Sequence, residues 1–142
     1  MYDFQESVGL LLPLAPDGPE RWLKGIRPSL GRFGVLLAAS EPGSVVGFLH
    51  ASLYPVPDYL GGGRGARITH VFVVPEARGV GVGGRLVSAA LDWLREREVG
   101  SVDLQVLVGN TEAIAFWRSL GWEMELHQMR LELGSSPARA EL

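Results

Sequence analysis

Arg78 and four glycines, Gly79, Gly81, Gly83 and Gly84, stand within seven positions, between an apolar run at 68–74 and a segment with helical periodicity. Glycines at alternate positions let backbone N–H groups converge on one point with no Cβ in the way. A helix that starts there adds four unpaired N–H donors and the positive end of its dipole. The guest that such a loop suits is a phosphate or pyrophosphate. Within the preceding run lies His70, whose ordinary pKa near neutrality suits proton transfer, although a single histidine on a strand is also an ordinary packing residue. Three histidines, His50, His70 and His127, lack the close spacing of metal ligands, so no metal is expected.

The elements that hold these residues follow from periodicity. Residues 33–39 are a short apolar strand, Glu41, Pro42, Gly43 and Ser44 a turn, and residues 45–54 a second strand, together a hairpin. In the second strand Val46, Phe48, His50, Ser52 and Tyr54 share one face, and Val45, Leu49 and Leu53 the other. Residues 55–67 form a glycine-rich loop long enough to move independently of the sheet and act as a substrate lid. After the apolar run and the glycines, a helix over 83–98 places Val87, Ala90, Leu91 and Leu94 on one stripe and is closed by Gly100. Residues 101–108 are a strand. Asn110 and Thr111 cap a further helix that reaches Leu120 and ends at Gly121, with Ala113, Phe116, Trp117 and Leu120 as its apolar stripe. Met129, Leu131 and Leu133 alternate as a final strand, while Met124 and Leu126 have the opposite parity and require a break near His127 and Gln128. Towards the N-terminus, 6–14 and 19–24 read as short helices around a proline-rich break, and 134–142 as a polar, mobile tail. The fold class is mixed α/β, an antiparallel hairpin leading into right-handed strand–helix–strand crossovers, with one domain over 1–133.

Composition narrows the function. With 142 residues and 46% hydrophobic content the chain can bury one substantial core. A formal net charge of −3 provides no basic field for nucleic acid. The apolar run at 8–15 is broken by Pro13 and too short to span a bilayer, so a cytoplasmic protein with no membrane partner is expected. The absence of cysteine excludes disulfides, thiolate metal sites and cysteine nucleophiles.

Three kinds of glycine loop compete for the 78–84 segment. Gly79 and Gly84 have P-loop spacing, but Arg85 and Leu86 stand where a lysine and a hydroxyl must neutralise phosphate and hold magnesium. Gly79, Gly81 and Gly84 match a dinucleotide fingerprint. Four residues nevertheless separate the strand from the first glycine, and Val108, Gly109 and Asn110 stand where a ribose-binding acid belongs. A third pattern fits every feature. Arg78-x-x-Gly81-x-Gly83 matches (Gln/Arg)-x-x-Gly-x-(Gly/Ala), and Asn110-x-x-Ala113-x-x-Phe116-Trp117-x-x-x-Gly121-Trp122 follows one strand later, close to N-x-x-A-x-x-F-Y-x-x-x-G-F. On these two motifs, in this order, the chain resembles the GCN5-related N-acetyltransferase (GNAT) superfamily over about residues 33–133.

The resemblance implies the acyl-CoA N-acyltransferase fold, a central twisted mixed sheet flanked by helices. A V-shaped split opens between its strands 4 and 5, here 68–74 and 102–108. Acetyl-CoA, as co-substrate, would lie in the split. Its pyrophosphate would rest on the backbone of Arg78, Gly79, Val80, Gly81, Val82, Gly83 and Gly84. Phe72, Val73 and Val74 would run along its pantetheine, and Asn110, Ala113, Phe116 and Trp117 would line the other wall. The implied reaction is direct attack of a primary amine, from a small-molecule or peptide acceptor, on the thioester. His70 falls on the strand where relatives often carry a basic catalyst. The residue after the motif phenylalanine is usually a tyrosine general acid. Here it is Trp117, whose indole N–H donates a hydrogen bond but does not release a proton. Tyr54 and Tyr59 are the other hydroxyl candidates. Trp117 keeps a second reading open, a non-catalytic acyl-CoA-binding or interaction module on the same fold. By the same resemblance the acceptor wall would come from 1–32 and 55–67, and a homodimer completing the sheet edge is compatible.

Overall fold

The structure, a computed structural model, describes residues 15–134. The helix expected at 6–14 and all but the first residue of the expected tail lie outside the described residues. The first described helix, α1 (Gly18–Ile26), starts with Pro19 in its first turn, where the missing N–H costs nothing, and runs into a 3-10 turn at Arg27–Ser29.

β1 (Gly34–Glu41) and β2 (Ser44–Pro55) form the expected antiparallel hairpin. β3 (Arg64–Val73) continues the antiparallel ladder on β2, and β4 (Ser101–Leu104) lies parallel to β3, so the sheet order is β1-β2-β3-β4. α2 (Val82–Arg95) is the crossover between β3 and β4 and covers one face of the sheet. Its Leu86, Val87 and Ala90 bury against Leu49, Ala51 and Ile68 from the strands, and Leu94 is buried one turn further on. Leu49 and Leu94 are almost fully buried, each contributing about 2 kcal/mol of hydrophobic free energy. α3 (Thr111–Ser119) is capped by Asn110, whose side chain accepts from the Ala113 N–H at 3.1 Å, and Gly121 closes it at φ 89°.

Four sequence expectations need adjustment. The 55–67 segment is shorter as a loop than its glycine content suggests, because Arg64, Gly65, Ala66 and Arg67 pair as strand. What remains is tied down by a 3-10 turn at Asp58–Leu60 and by Val56 N–H to Gly63 C=O at 3.0 Å. It also joins β2 to the start of β3, about 30 Å along the strand from Val73. α2 ends at Arg95 rather than near 98, and the left-handed residue of the turn that follows is Glu98, at φ 58°, two residues before the expected Gly100. β4 stops at Leu104 rather than 108. Finally, residues 122–134 form no regular element, and Met124, Leu126, Met129, Leu131 and Leu133 are all exposed. Alternation assigns faces to a strand, but only a ladder partner makes one, and here β4 offers just four residues. Among the described residues no helix is long and apolar enough to cross a membrane.

Candidate active site

The central opening arises where two parallel strands part. β3 and β4 pair from Gly65–Ser101 to Ile68–Leu104 and no further, so residues 69–73 of β3 have no strand on that side and keep only their β2 ladder. Beside that unpaired edge lies a cleft of about 350 Å³. Phe72, Val73, Arg78, Gly79, Gly81, Val82, Gly83 and Gly84 line one side, and Asn110, Ala113, Phe116 and Trp117 the other. Two motifs more than twenty residues apart in sequence thus meet across one space. Val74 and Val80 are not part of its lining, and neither is His70, although its neighbour Val71 is.

Which backbone groups reach the cleft follows from the ladder. The Val74 N–H donates to the Val46 C=O at 2.8 Å, and Gly47 stands opposite Val73. Residues of an antiparallel strand alternate between bonding the partner and facing away from it. Val71 and Val73 therefore present their N–H and C=O groups to the open edge, whereas Phe72 and Val74 spend theirs on β2. The Val73 C=O already accepts from Arg78 Nε at 2.8 Å, which ties the loop to the strand end. Val71 escaped the motif reading, yet the period of two would have found it once the register was known.

The glycine segment begins with a 3-10 turn at Pro75–Ala77 and then enters α2. Gly81 is the N-cap residue at φ 86°, a left-handed conformation costly for any residue with a Cβ, and no side chain caps this helix start. The first N–H groups of α2 are thus left to the cleft, together with the positive end of the helix. Gly83 serves a different need: a Cβ there would approach the Phe116 ring to 3.1 Å, so its absence lets α2 and α3 close on each other. At the mouth, Arg78 Nη1 lies 3.9 Å from Glu112 Oε2, an exposed pair of small energetic weight.

Trp117 is buried, with its ring edge-on to Phe116 and Trp122 at 5.0 Å centroid separation in each case. It is a packing residue as much as a cleft wall. Neither tyrosine of the described chain replaces the missing hydroxyl. Tyr59 is exposed on the distal loop. Tyr54 pairs with Gly65 at the far end of β3 and donates to Asp103 Oδ2 at 2.7 Å, a bond to a carboxylate that raises its pKa.

On the sheet face opposite α2, α1 lays Trp22 over Phe48, His50 and His70, with ring centroids 5.8, 5.6 and 4.7 Å away. His50 is buried on β2 and stands directly opposite His70 on β3. Burial, and then the neighbouring His50, push His70 down to about 4 from 6.5; burial also lowers His50. Both rings are neutral at pH 7, so His70 carries a free base there. A linkage effect follows. The unfolded chain protonates His70 near 6.5, and the folded chain resists until about 4. Its contribution to stability is complete above 6.5 and is lost as pH falls towards 4. Urea unfolding between pH 7 and pH 4.5 is expected to show a shallower pH slope in His70→Gln than in the wild type; equal slopes would contradict the burial of this ring. Among the described residues no group of three or more histidine, cysteine, aspartate or glutamate side chains is placed to hold a metal.

Comparison with known proteins places this geometry. The family profile described as "Acetyltransferase (GNAT) family" matches residues 11–122. A mycothiol acetyltransferase of Saccharomonospora viridis is 40% identical over 91 residues, which are 63% of this chain and 30% of that protein. The uncharacterized N-acetyltransferase YhfO of Bacillus subtilis is 36% identical over 89 residues, covering 63% of this chain and 58% of its own length. The chain therefore spans under a third of the first relative and just over half of the second. Among solved structures, a tetramutant of the BH1408 protein from Bacillus halodurans superposes with a TM-score of 0.76 at 19% identity, covering 93% of this chain and 86% of that one. The aminoglycoside N-acetyltransferase AAC(6')-Iy in complex with CoA gives 0.68 at 18% identity, covering 80% and 86%. These structural likenesses speak for the fold, and the profile spans most of the sequence, both motifs included. With its parted strands, its glycine-led helix start and the asparagine-capped helix facing it, the chain belongs to the GNAT acetyltransferase family.

Proposed function

We propose that this chain binds acetyl-CoA in the cleft between β3 and β4 and catalyses acetyl transfer to a primary amine. The observation that carries the reading is the parting of β3 from β4 after Ile68 and Leu104, which leaves a strand edge, a helix start and a capped helix around one cleft. The N–H groups from Gly79 to Gly84 would hold the pyrophosphate, and the outward backbone of Val71 and Val73 would pair with the amides of the pantetheine arm. Bound acetyl-CoA supplies the thioester. The amine nitrogen gains the acetyl carbon, the C–S bond breaks, and one proton must leave the nitrogen while the thiolate takes up another.

His70 is the base in this reading. It sits one residue before Val71, where the cleft begins, and its imidazole is neutral throughout the physiological range. Its low proton affinity suits removal of the proton from the positively charged nitrogen of the tetrahedral intermediate rather than from a free ammonium. The thiolate is a tolerable leaving group without an acid catalyst, since an ordinary alkyl thiol has a pKa of about 8.5, and water can protonate it. That makes the lack of a hydroxyl at Trp117 survivable.

A second reading has its own support, because Trp117 is buried where the family's tyrosine would stand. A binder without catalysis would use the same cleft. Thiol release from acetyl-CoA over a panel of an amino sugar, a lysine-ended peptide, a polyamine and an arylamine separates the two. Amine-dependent release at about 1 per second or faster is expected for at least one class. Release no faster than the amine-free rate with every class would leave the chain a binder.

A further inference from the structure

β3 carries one residue more than β2 beside the histidine pair. His50 faces His70 and Ala51 faces Ile68, so Thr69 has no partner in the register. In a regular strand Thr69 and His70 point to opposite faces. A bulge changes that and brings successive side chains together. The Thr69 hydroxyl oxygen lies 2.5 Å from His50 Nδ1, 2.9 Å from His70 Nδ1 and 3.3 Å from the His50 carbonyl oxygen.

A hydroxyl has one proton and two lone pairs, and a carbonyl oxygen can only accept. If Thr69 donates to the His50 carbonyl, its two lone pairs face the two Nδ1 atoms, and both must be donors. All three contacts are then hydrogen bonds. If Thr69 instead donates to either Nδ1, its contact with the His50 carbonyl sets two acceptor oxygens 3.3 Å apart with no proton between them, and donation to His50 further puts that ring's hydrogen on Nε2. This atom is buried with no partner among the described residues, and an orphaned N–H is less tolerated than an orphaned acceptor. Trp22, which covers both rings, has only a donor N–H and so offers no competing acceptor for the Nδ1 hydrogens.

We propose that Thr69 is a positioning residue for the acetyl transfer: its hydroxyl accepts from the Nδ1–H of both His50 and His70, holds both rings in that tautomer, and leaves the His70 Nε2 lone pair to take the proton of the acceptor amine. The inference rests on the reading of His70 as the base. In the step itself, the Nε2 lone pair forms the new N–H bond to a proton of the positively charged nitrogen that has added to the thioester carbon, and the electrons of the broken N–H bond stay on that nitrogen, which becomes neutral.

Nitrogen-15 NMR of histidine-labelled, ligand-free protein tests the lock directly, with His50→Gln and His70→Gln spectra giving the assignments. At pH 7 the wild type is expected to show Nδ1 protonated and Nε2 unprotonated for both rings. Thr69→Val keeps the β-branched shape and is expected to turn His70 into a mixture of tautomers. In the same variant kcat for thiol release with the amine selected above falls about tenfold while KM for acetyl-CoA is unchanged. Thr69→Ser restores both signals. A wild-type His70 protonated on Nε2, an unchanged spectrum in Thr69→Val, or a serine variant that restores nothing would each overturn the proposal. Full kcat in His70→Gln would instead remove the base reading, and with it the catalytic role of Thr69, whatever the spectra show.

Discussion

Replacing Gly81 with valine is expected to weaken acetyl-CoA binding about a hundredfold or more while the chain still folds. The reason is the backbone. Gly81 sits at φ 86°, and a Cβ built there meets only Arg85 Nη1 at 3.9 Å, so space is not what forbids a side chain. The left-handed conformation costs a residue with a Cβ about 1–3 kcal/mol, and a β-branched one the most. The chain escapes that strain by shifting the helix start, which turns the N–H groups of the first turn away from the cleft. Each hydrogen bond to a charged phosphate oxygen is worth about 1.5–3 kcal/mol, so losing one or two of them accounts for two decades of affinity. Asparagine tolerates the left-handed region far better. Gly81→Asn is therefore expected to retain most of the affinity that Gly81→Val loses, as read by isothermal titration with acetyl-CoA. Equal affinity in the valine variant and the wild type would mean that the helix start does not hold the pyrophosphate.

The second large effect is expected at His70. His70→Ala and His70→Gln should both lower kcat about a hundredfold, the usual scale of general base catalysis, with KM for acetyl-CoA unchanged. Two variants are needed because alanine also removes the ring that packs on Trp22 at 4.7 Å, whereas glutamine keeps most of the volume. A loss confined to alanine would assign His70 to packing. The wild-type pH profile carries an independent sign. The neutral imidazole is the active form, so, apart from the ionisation of the acceptor amine itself, the loss due to His70 comes as pH falls through the folded value of about 4, not near 6.5. The groups facing the ring are His50 on β2 and Trp22 on α1, and neither carries a charge that would raise it at neutral pH.

The parts of this site that depend on contiguous residues were legible in the sequence. The Arg78-to-Gly84 segment and the Asn110-to-Trp122 motif specify a loop and a capped helix through local backbone needs alone, and both motifs now face one cleft. Pairing was another matter. That β4 stops at Leu104, and so opens the cleft, is a property of two strands and not of residues 101–108. The bulge at Thr69 is likewise invisible until β2 supplies the register, and with it the meeting of His50, Thr69 and His70. The reading of the alternating residues after Met124 as a strand failed for the same reason. Period two was present, but no ladder is there to use it. Trp22 illustrates the reverse: nothing in a lone tryptophan on a short helix announces that it covers two histidines from different strands.

The central claim, that this cleft holds an acyl-CoA, is tested most directly by thermal unfolding of the wild type against increasing acetyl-CoA. Binding to the folded chain alone predicts a rise in Tm that grows with the logarithm of concentration and corresponds to about 2.7 kcal/mol at a hundred times Kd, a shift of several degrees in a protein of this size. CoA should act similarly, and Gly81→Val should show at most a small fraction of that shift over the same range. An unchanged wild-type Tm at millimolar acetyl-CoA would contradict the account.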